Sequence, residues 1–254
     1  MKDRKSNKAS KLRFYWIAFM TGVYTFIAAC HIAVVRVTPG NTRNRIDKLL
    51  RRWSRRLLGL LNVSINSRGA EKFPHNSGRP VIVMSNHFSL YDIPVSILVL
   101  ETSLRMMAKK ELYKIPFMGM ALRLGEFVSV DRHNHEQSIK DLEKAKQVMV
   151  SGISLWVAPE GTRSRNGTLG KFKRGVFHLA IDTKAIVVPI VIKNIHEVQS
   201  GNNMDLYLNQ EVFVEVCDPV DTKDFEISQR AELLEQIRHK MQSVLDVGSE
   251  KMAK

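Results

Sequence analysis

The sequence predicts an α/β domain with a mostly parallel or mixed central sheet flanked by helices, behind an N-terminal membrane-associated helical segment. Three observations carry this reading. From about residue 62 onward, short apolar runs of strand length alternate with stretches of helical spacing, the pattern of helices laid over a sheet. Several of the apolar runs end in polar, titratable or glycine-containing loops, where α/β folds place their binding groups. Residues 1–61 instead combine one long apolar run with a crowd of basic residues. The boundary is therefore drawn between a membrane-anchoring segment, 1–61, and a single globular domain, 62–254.

Length and composition agree with one substantial core, at 254 residues and 44% hydrophobic. Lys and Arg number 39 against 25 acidic residues, a formal charge of +14. Such a balance calls for an anionic partner, either nucleic acid, membrane surface or a phosphorylated substrate. No nucleic-acid-binding signature accompanies the charge, and its basic residues crowd beside an apolar segment, so the membrane is favoured. Cys30 and Cys217 are far apart and match no redox or metal spacing, which suits a reducing compartment. The eight histidines form neither H-E-x-x-H nor a Cys/His cluster, so no zinc site is expected.

Taken in order, the chain opens with Lys2, Arg4, Lys5, Lys8, Lys11 and Arg13, read as a disordered basic stretch. Phe14 to Val35 then carries no formal charge apart from His31 and is long enough to span a bilayer. No small-residue cleavage site leads into a neutral mature region, which argues against a cleaved signal peptide. Arg36, Arg43, Arg45, Lys48, Arg51, Arg52, Arg55 and Arg56 follow. Positive charge on both flanks gives no orientation: the helix either spans, or enters one leaflet and returns. Ile46, Leu49, Leu50, Trp53, Leu57, Leu58, Leu60 and Leu61 mark an amphipathic basic helix. It is expected in the headgroup layer, with packing on the domain as the alternative.

Strands are expected at 62–66, 81–85, 104–108, 127–130, 153–157, 185–192 and 212–216, and helices at 89–100, 136–150, 175–181 and 227–247. Three strand ends carry chemistry. The first is Ser85-Asn86-His87-Phe88-Ser89-Leu90-Tyr91-Asp92. Residues five apart in a helix point roughly 140° away from each other, so His87 and Asp92 meet only across a turn. Ser89 as a helix N-cap supplies that turn. Asp92 would then hold one imidazole nitrogen, and the other could accept a proton from a substrate hydroxyl. A plain capping turn beside a surface histidine is the alternative.

The second is Pro159-Glu160-Gly161-Thr162-Arg163, where the planar fork of Arg163 suits a phosphate and Glu160 could hold that fork. The third is a set of cations, Lys109, Lys110 and Arg132, which could converge on the same anion, with Phe172-Lys173-Arg174-Gly175 as a further basic edge.

Four blocks in register resemble the 1-acyl-glycerol-3-phosphate acyltransferase family, the lysophosphatidate acyltransferases. They are Asn86-His87-x-Ser89-x-x-Asp92, the family's HX4D motif; Lys109-Lys110-Glu111-Leu112 through Pro116-Phe117-x-Gly119, on to Gly125 and Asp131-Arg132; Pro159-Glu160-Gly161-Thr162-Arg163-Ser164 with Phe172-Lys173-x-Gly175; and Val188-Pro189-Ile190. The resemblance is close over roughly residues 80–195. One departure is Ala158, where the family usually has Phe.

The resemblance implies a glycerolipid acyltransferase-like fold and makes 62–254 the catalytic domain. His87 would be the general base and Asp92 its orienting partner. Arg163 and Lys109, with Arg132 as a helper, would bind the acceptor's phosphate. Glu160, Gly161 and Thr162 would shape that site, and Val188-Pro189-Ile190 and the surroundings of Phe117 would border the acyl chain. The reaction implied is transfer from acyl-CoA or acyl-carrier protein to lysophosphatidic acid, giving phosphatidic acid. The partners are membrane lipids and these substrates, with no nucleic acid, no metal and no cofactor beyond the donor. A bacterial inner membrane, with the site on the cytoplasmic side, is the implied location. Another lysophospholipid or a lyso-ornithine lipid is the alternative acceptor, and a non-catalytic lipid-binding module is the more distant alternative.

Overall fold

A computed structural model describes residues 7–131, 134–164, 167–199 and 205–250. It begins with two long helices, α1 (Lys11–Val37) and α2 (Thr42–Leu61). Each is started by a side chain that takes an orphan N–H of the first turn: Ser10 accepts from Arg13, and Asn41 from Asn44. The chain is ordered ahead of α1, because the Ala9 N–H donates to the Leu206 carbonyl at 2.8 Å and Lys8 pairs with Asp205 at 2.7 Å. The expected basic disordered stretch is thus corrected for 7–13, while 1–6 lie outside the described residues.

By length and composition α1 is long and apolar enough to cross a membrane. Leu12, Tyr15, Phe19, Val34 and Val37 on its surface are exposed. The apolar stripe of α2 has a different fate from the expected one. Ile46, Leu50, Leu57, Leu58 and Leu61 are buried, packed under α1 and against α3 (Asp92–Leu100). A sheet face must be covered, and α2 helps cover it; lipid has no access to that stripe. Its outer face shows Lys48, Arg52 and Arg55.

The strands are β1 (Ser64–Arg68), β2 (Val81–Ser85), β3 (Leu104–Lys109), β4 (Val128–Val130), β5 (Ser154–Val157), β6 (Ile186–Lys193), β7 (Glu211–Val216) and β8 (Val220–Asp221). They form one mixed sheet of order β1-β7-β6-β2-β5-β3-β4, with β8 paired to β6. Neighbours from β6 through β4 run parallel, while β7 and β8 pair with β6 antiparallel. The remaining helices are α4 (Met118–Leu124), α5 (His135–Val150), α6 (Gly175–Asp182), α7 (Ile195–Val198) and α8 (Arg230–Glu250). The sequence does not mark α4, α7 or β8, which are too short to show periodicity.

Successive strand residues face opposite sides, and the two cores divide accordingly. Ile82 and Met84 pack with Leu155, Phe177, Leu233 and Ile237 under α6 and α8. Val81 and Val83 pack with Trp156, Ile97 and Leu50 under α2 and α3. Val188 and Ile190 are fully buried in that second core, so they are core residues and the expected place beside an acyl chain is not theirs. Pro189 is tolerated in a central strand because β6 changes partner there. It pairs with β8 through Val187 and with β7 from Ile190, and the Pro189 carbonyl accepts the Cys217 N–H in between.

Candidate active site

Because β6, β2, β5, β3 and β4 run in parallel, their C-terminal ends share one edge. His87 follows β2, the Glu160–Arg163 loop follows β5, and Lys109 ends β3. The sheet order places the Arg163 loop between the other two.

Beyond β2, Asn86 extends the ladder with its side chain, accepting the Ile192 N–H at 2.8 Å and donating to the Ile192 carbonyl at 2.9 Å. The chain then turns, and His87 Nδ1 lies 2.7 Å from Asp92 Oδ2. The same oxygen accepts the N–H groups of Phe88 at 2.9 Å and Ser89 at 3.0 Å. The turn is therefore closed by the aspartate itself. The expected N-cap at Ser89 is corrected: α3 starts at Asp92, and among the described residues the Ser89 hydroxyl accepts the Tyr91 N–H alone. A carboxylate reaching back three and four residues satisfies the same donors a cap would. Asp92 is fully buried, and the imidazole keeps 17% of its surface exposed.

Two further groups hold this histidine, and both come from the neighbouring loop. Its main-chain N–H donates to Glu160 Oε1 at 3.1 Å, and its carbonyl accepts the Ser164 N–H at 2.7 Å. The second Glu160 oxygen accepts the Gly170 N–H at 2.7 Å. Glu160 thus holds main chain and does not support Arg163. Burial pushes the Glu160 carboxyl above its usual range, with the Gly170 and His87 N–H groups opposing. Gly161 has φ +77°, a conformation that suits glycine and lets the loop fold back at once after β5.

Trp156 also belongs to the site, though only its place in a strand was visible in the sequence. Its ring meets the His87 imidazole edge to face, with centroids 5.8 Å apart. Its indole N–H donates to Ser96 Oγ at 3.0 Å, and that hydroxyl donates to the Asp92 carbonyl at 2.8 Å.

The cations separate in behaviour. Arg163 is half-buried and makes no hydrogen bond or ion pair among the described residues. Lys109 is 46% exposed and sits 3.7 Å from Glu111. Lys110 is paired with Asp131, whose N–H donates to Asp141, so it is tied into the fold. Arg132 lies outside the described residues. Glu160, Thr162, Ser164, Gly170, Lys171 and Lys173 border a hollow of 420 Å³ beside the histidine loop. Lys171 was not singled out in the sequence, where a lone lysine carries no signal. A larger hollow of 620 Å³ lies at the opposite edge of the sheet, near Val81, Ser103 and Ser154. Neither His87 nor Asp92 lines it.

The comparisons with known proteins bear on the same edge. The model of the family described as Acyltransferase matches residues 64–193. The chain is 31% identical over 232 residues to human 1-acyl-sn-glycerol-3-phosphate acyltransferase alpha, covering 91% of this chain and 80% of that protein. It is 28% identical over 178 residues to the 1-acyl-sn-glycerol-3-phosphate acyltransferase of Haemophilus influenzae, covering 70% and 72%. The fold matches the crystal structure of the 1-acyl-sn-glycerophosphate (LPA) acyltransferase PlsC from Thermotoga maritima. There the TM-score is 0.79 at 24% identity, over 92% of this chain and 95% of that one. With its histidine–aspartate pair, its two interlocked strand-end loops and these relatives, the chain belongs to the 1-acyl-sn-glycerol-3-phosphate acyltransferase family.

Proposed function

We propose that this protein transfers an acyl group from a thioester, acyl-CoA or acyl-carrier protein, to the free hydroxyl of 1-acyl-glycerol-3-phosphate, giving phosphatidic acid. The observation that carries the mechanism is the 2.7 Å contact between His87 Nδ1 and Asp92 Oδ2. That oxygen already accepts two main-chain N–H groups, so the shared hydrogen belongs on Nδ1 and the lone pair on Nε2, a tautomer inferred from the hydrogen bonds.

Nε2 takes the acceptor's hydroxyl proton as the oxygen attacks the thioester carbonyl carbon. The imidazolium so formed is held by Asp92. The tetrahedral intermediate collapses by breaking the C–S bond, and the departing thiolate takes the proton from Nε2. This route needs no acyl-enzyme and no cofactor beyond the donor.

Arg163, whose fork has no partner among the described residues, takes the acceptor's phosphate with Lys109, and Arg132 is the third cation of the set. Gly161 and Thr162 shape the loop that presents Arg163. Phe117, whose ring meets Phe26 of α1 edge to face at 4.6 Å, borders the acyl chain.

The membrane-facing surface is the exposed apolar side of α1 with the cationic stripe of α2. Both ends of α1 are bonded to the domain, at Ala9 to Leu206 and at Arg36 to the Leu124 carbonyl. A helix tied down at both ends lies along the domain, which favours entry into one leaflet over a span. A bacterial inner membrane, with the site on the cytoplasmic side, completes the reading. The two unpaired cysteines suit that side.

The test is acyl transfer by detergent-solubilised protein given oleoyl-CoA or oleoyl-carrier protein with a panel of lysolipids. The expected result is phosphatidic acid from lysophosphatidic acid with at least one donor, lost in His87→Ala. Product from another lysolipid alone would overturn the acceptor. Full activity in His87→Ala would overturn the mechanism.

A further inference from the structure

The site described so far lies between two loops, yet its support reaches a third element. Arg238 stands on α8, on the turn after the buried Ile237, half-buried and without an acidic partner among the described residues. Its Nη1 donates to the Gly170 carbonyl at 2.8 Å, and its guanidinium lies 5.7 Å over the ring of Phe172. Phe172 is itself buried and stacked on Phe177.

Gly170 is thus held on both sides of its Cα: Arg238 takes its carbonyl, and its N–H goes to Glu160 Oε2. The other Glu160 oxygen carries the His87 N–H. The contact at Gly170 is tight, since a Cβ there would stand 2.9 Å from Glu160 Oε2. Nothing larger than hydrogen fits without moving the carboxylate.

We propose that Arg238 is a positioning residue for acyl transfer: by holding Gly170 it sets the Glu160 carboxylate, and through it the main chain that aims His87. This inference rests on the role given to His87 above. The contacts of Arg238 are with Gly170 and Phe172 and not with His87 or Asp92, so its loss should act on the rate of the chemical step and leave acceptor binding nearly alone.

The experiment compares Arg238→Ala, Arg238→Lys and Gly170→Ala with the wild type and with His87→Ala, in detergent, with thermal unfolding followed in parallel. Arg238→Ala is expected to lose about 10- to 100-fold in kcat, the scale of a small misplacement of a catalytic group, with acceptor KM within about twofold. Millimolar guanidinium should recover part of the loss in Arg238→Ala, and Arg238→Lys should be intermediate. Gly170→Ala strikes the same link from the other side, and its kcat should fall similarly.

Wild-type kcat in Gly170→Ala overturns the proposal whatever becomes of Arg238→Ala. So does a loss in Arg238→Ala that follows the unfolded fraction and does not respond to guanidinium. If His87→Ala keeps full activity, it is the underlying mechanism that fails, a result distinct from either of these.

Discussion

Glu160 Oε1 accepts the main-chain N–H of His87 at 3.1 Å, so the acid of one strand-end loop fixes the backbone of the next. With the Ser164 N–H on the His87 carbonyl, the histidine is held above and below by a loop more than seventy positions away in sequence. Its ring is held separately, by Asp92 and Trp156. Backbone and ring therefore have independent supports, and each can be tested alone.

Replacing Glu160 by Gln keeps size and one acceptor but presents an amide N–H₂ to one of two N–H donors. One buried main-chain N–H then goes unsatisfied, at about 1–3 kcal/mol, or the loop shifts. The expected result is a kcat reduced about 10- to 100-fold with acceptor KM little changed. If acceptor KM rises and kcat holds, Glu160 acts on the substrate and not on His87.

The α1–α2 segment is fastened to the sheet by a buried ion pair. Arg105 on β3 donates to Asp47 of α2 at 2.7 Å and also to the Gly125 carbonyl, with its side chain fully buried. Burial lowers the Arg105 pKa, and Asp47 opposes that. Asp47→Ala leaves a buried charge unpaired and should cost about 3–5 kcal/mol. Removing both charges, as Asp47→Leu with Arg105→Met, should cost less than the single change. Chemical denaturation of the wild type and these two variants measures this, and a double variant weaker than Asp47→Ala would show that the pair contributes more than mutual compensation.

These tests fall where the sequence was least legible. The strand–helix alternation marked the sheet because burial imposes periodicity on every long element. The His87–Asp92 pair was visible because five positions cannot meet along a helix. The capping role given to Ser89 was misplaced because serine and aspartate satisfy the same N–H donors, and spacing does not choose between them. The partner of Glu160 was misread because the nearest cation in sequence, Arg163, is not the nearest group in space. Arg238 reads as a solvated charge on an amphipathic helix until the fold sets it beside Gly170. For α2, periodicity gave the apolar stripe but not the medium that covers it; that depends on the uncovered sheet face.

One surface pair supplies a test by pH. Two bonds of 2.7 Å from Arg79 to Asp221 hold that carboxyl down to about 2. A depressed carboxyl gives stability that is full above its ordinary value of 3.8 and is lost as pH falls through the folded value. The two side chains are 31% and 43% exposed, so solvent screening leaves about 0.5–1 kcal/mol. Urea unfolding of wild type and Asp221→Asn should differ by that much at pH 5–7. The gap should narrow below 3.8 and close near 2. A gap independent of pH would mean that the asparagine disturbs packing and that the charge is not what matters.

The last test separates the cations. Lys110 is tied to Asp131, so its removal takes a cation from a largely buried carboxylate and should lower stability more than it weakens acceptor binding. Arg163 has no such tie among the described residues, and removing it should leave the fold intact. If it receives the acceptor's phosphate, Arg163→Ala loses a charge-assisted, two-pronged contact of about 1.5–3 kcal/mol. Converted at 1.4 kcal/mol per tenfold, that is roughly a 10- to 100-fold rise in KM for lysophosphatidic acid. A zwitterionic lysolipid offers only a phosphodiester, with less negative charge for the fork, and its KM should rise far less. Arg163→Lys should recover only part of the loss, since an ammonium restores charge without the planar fork. Equal losses for both acceptors would place Arg163 outside the phosphate site and leave Lys109 as the cation to test next.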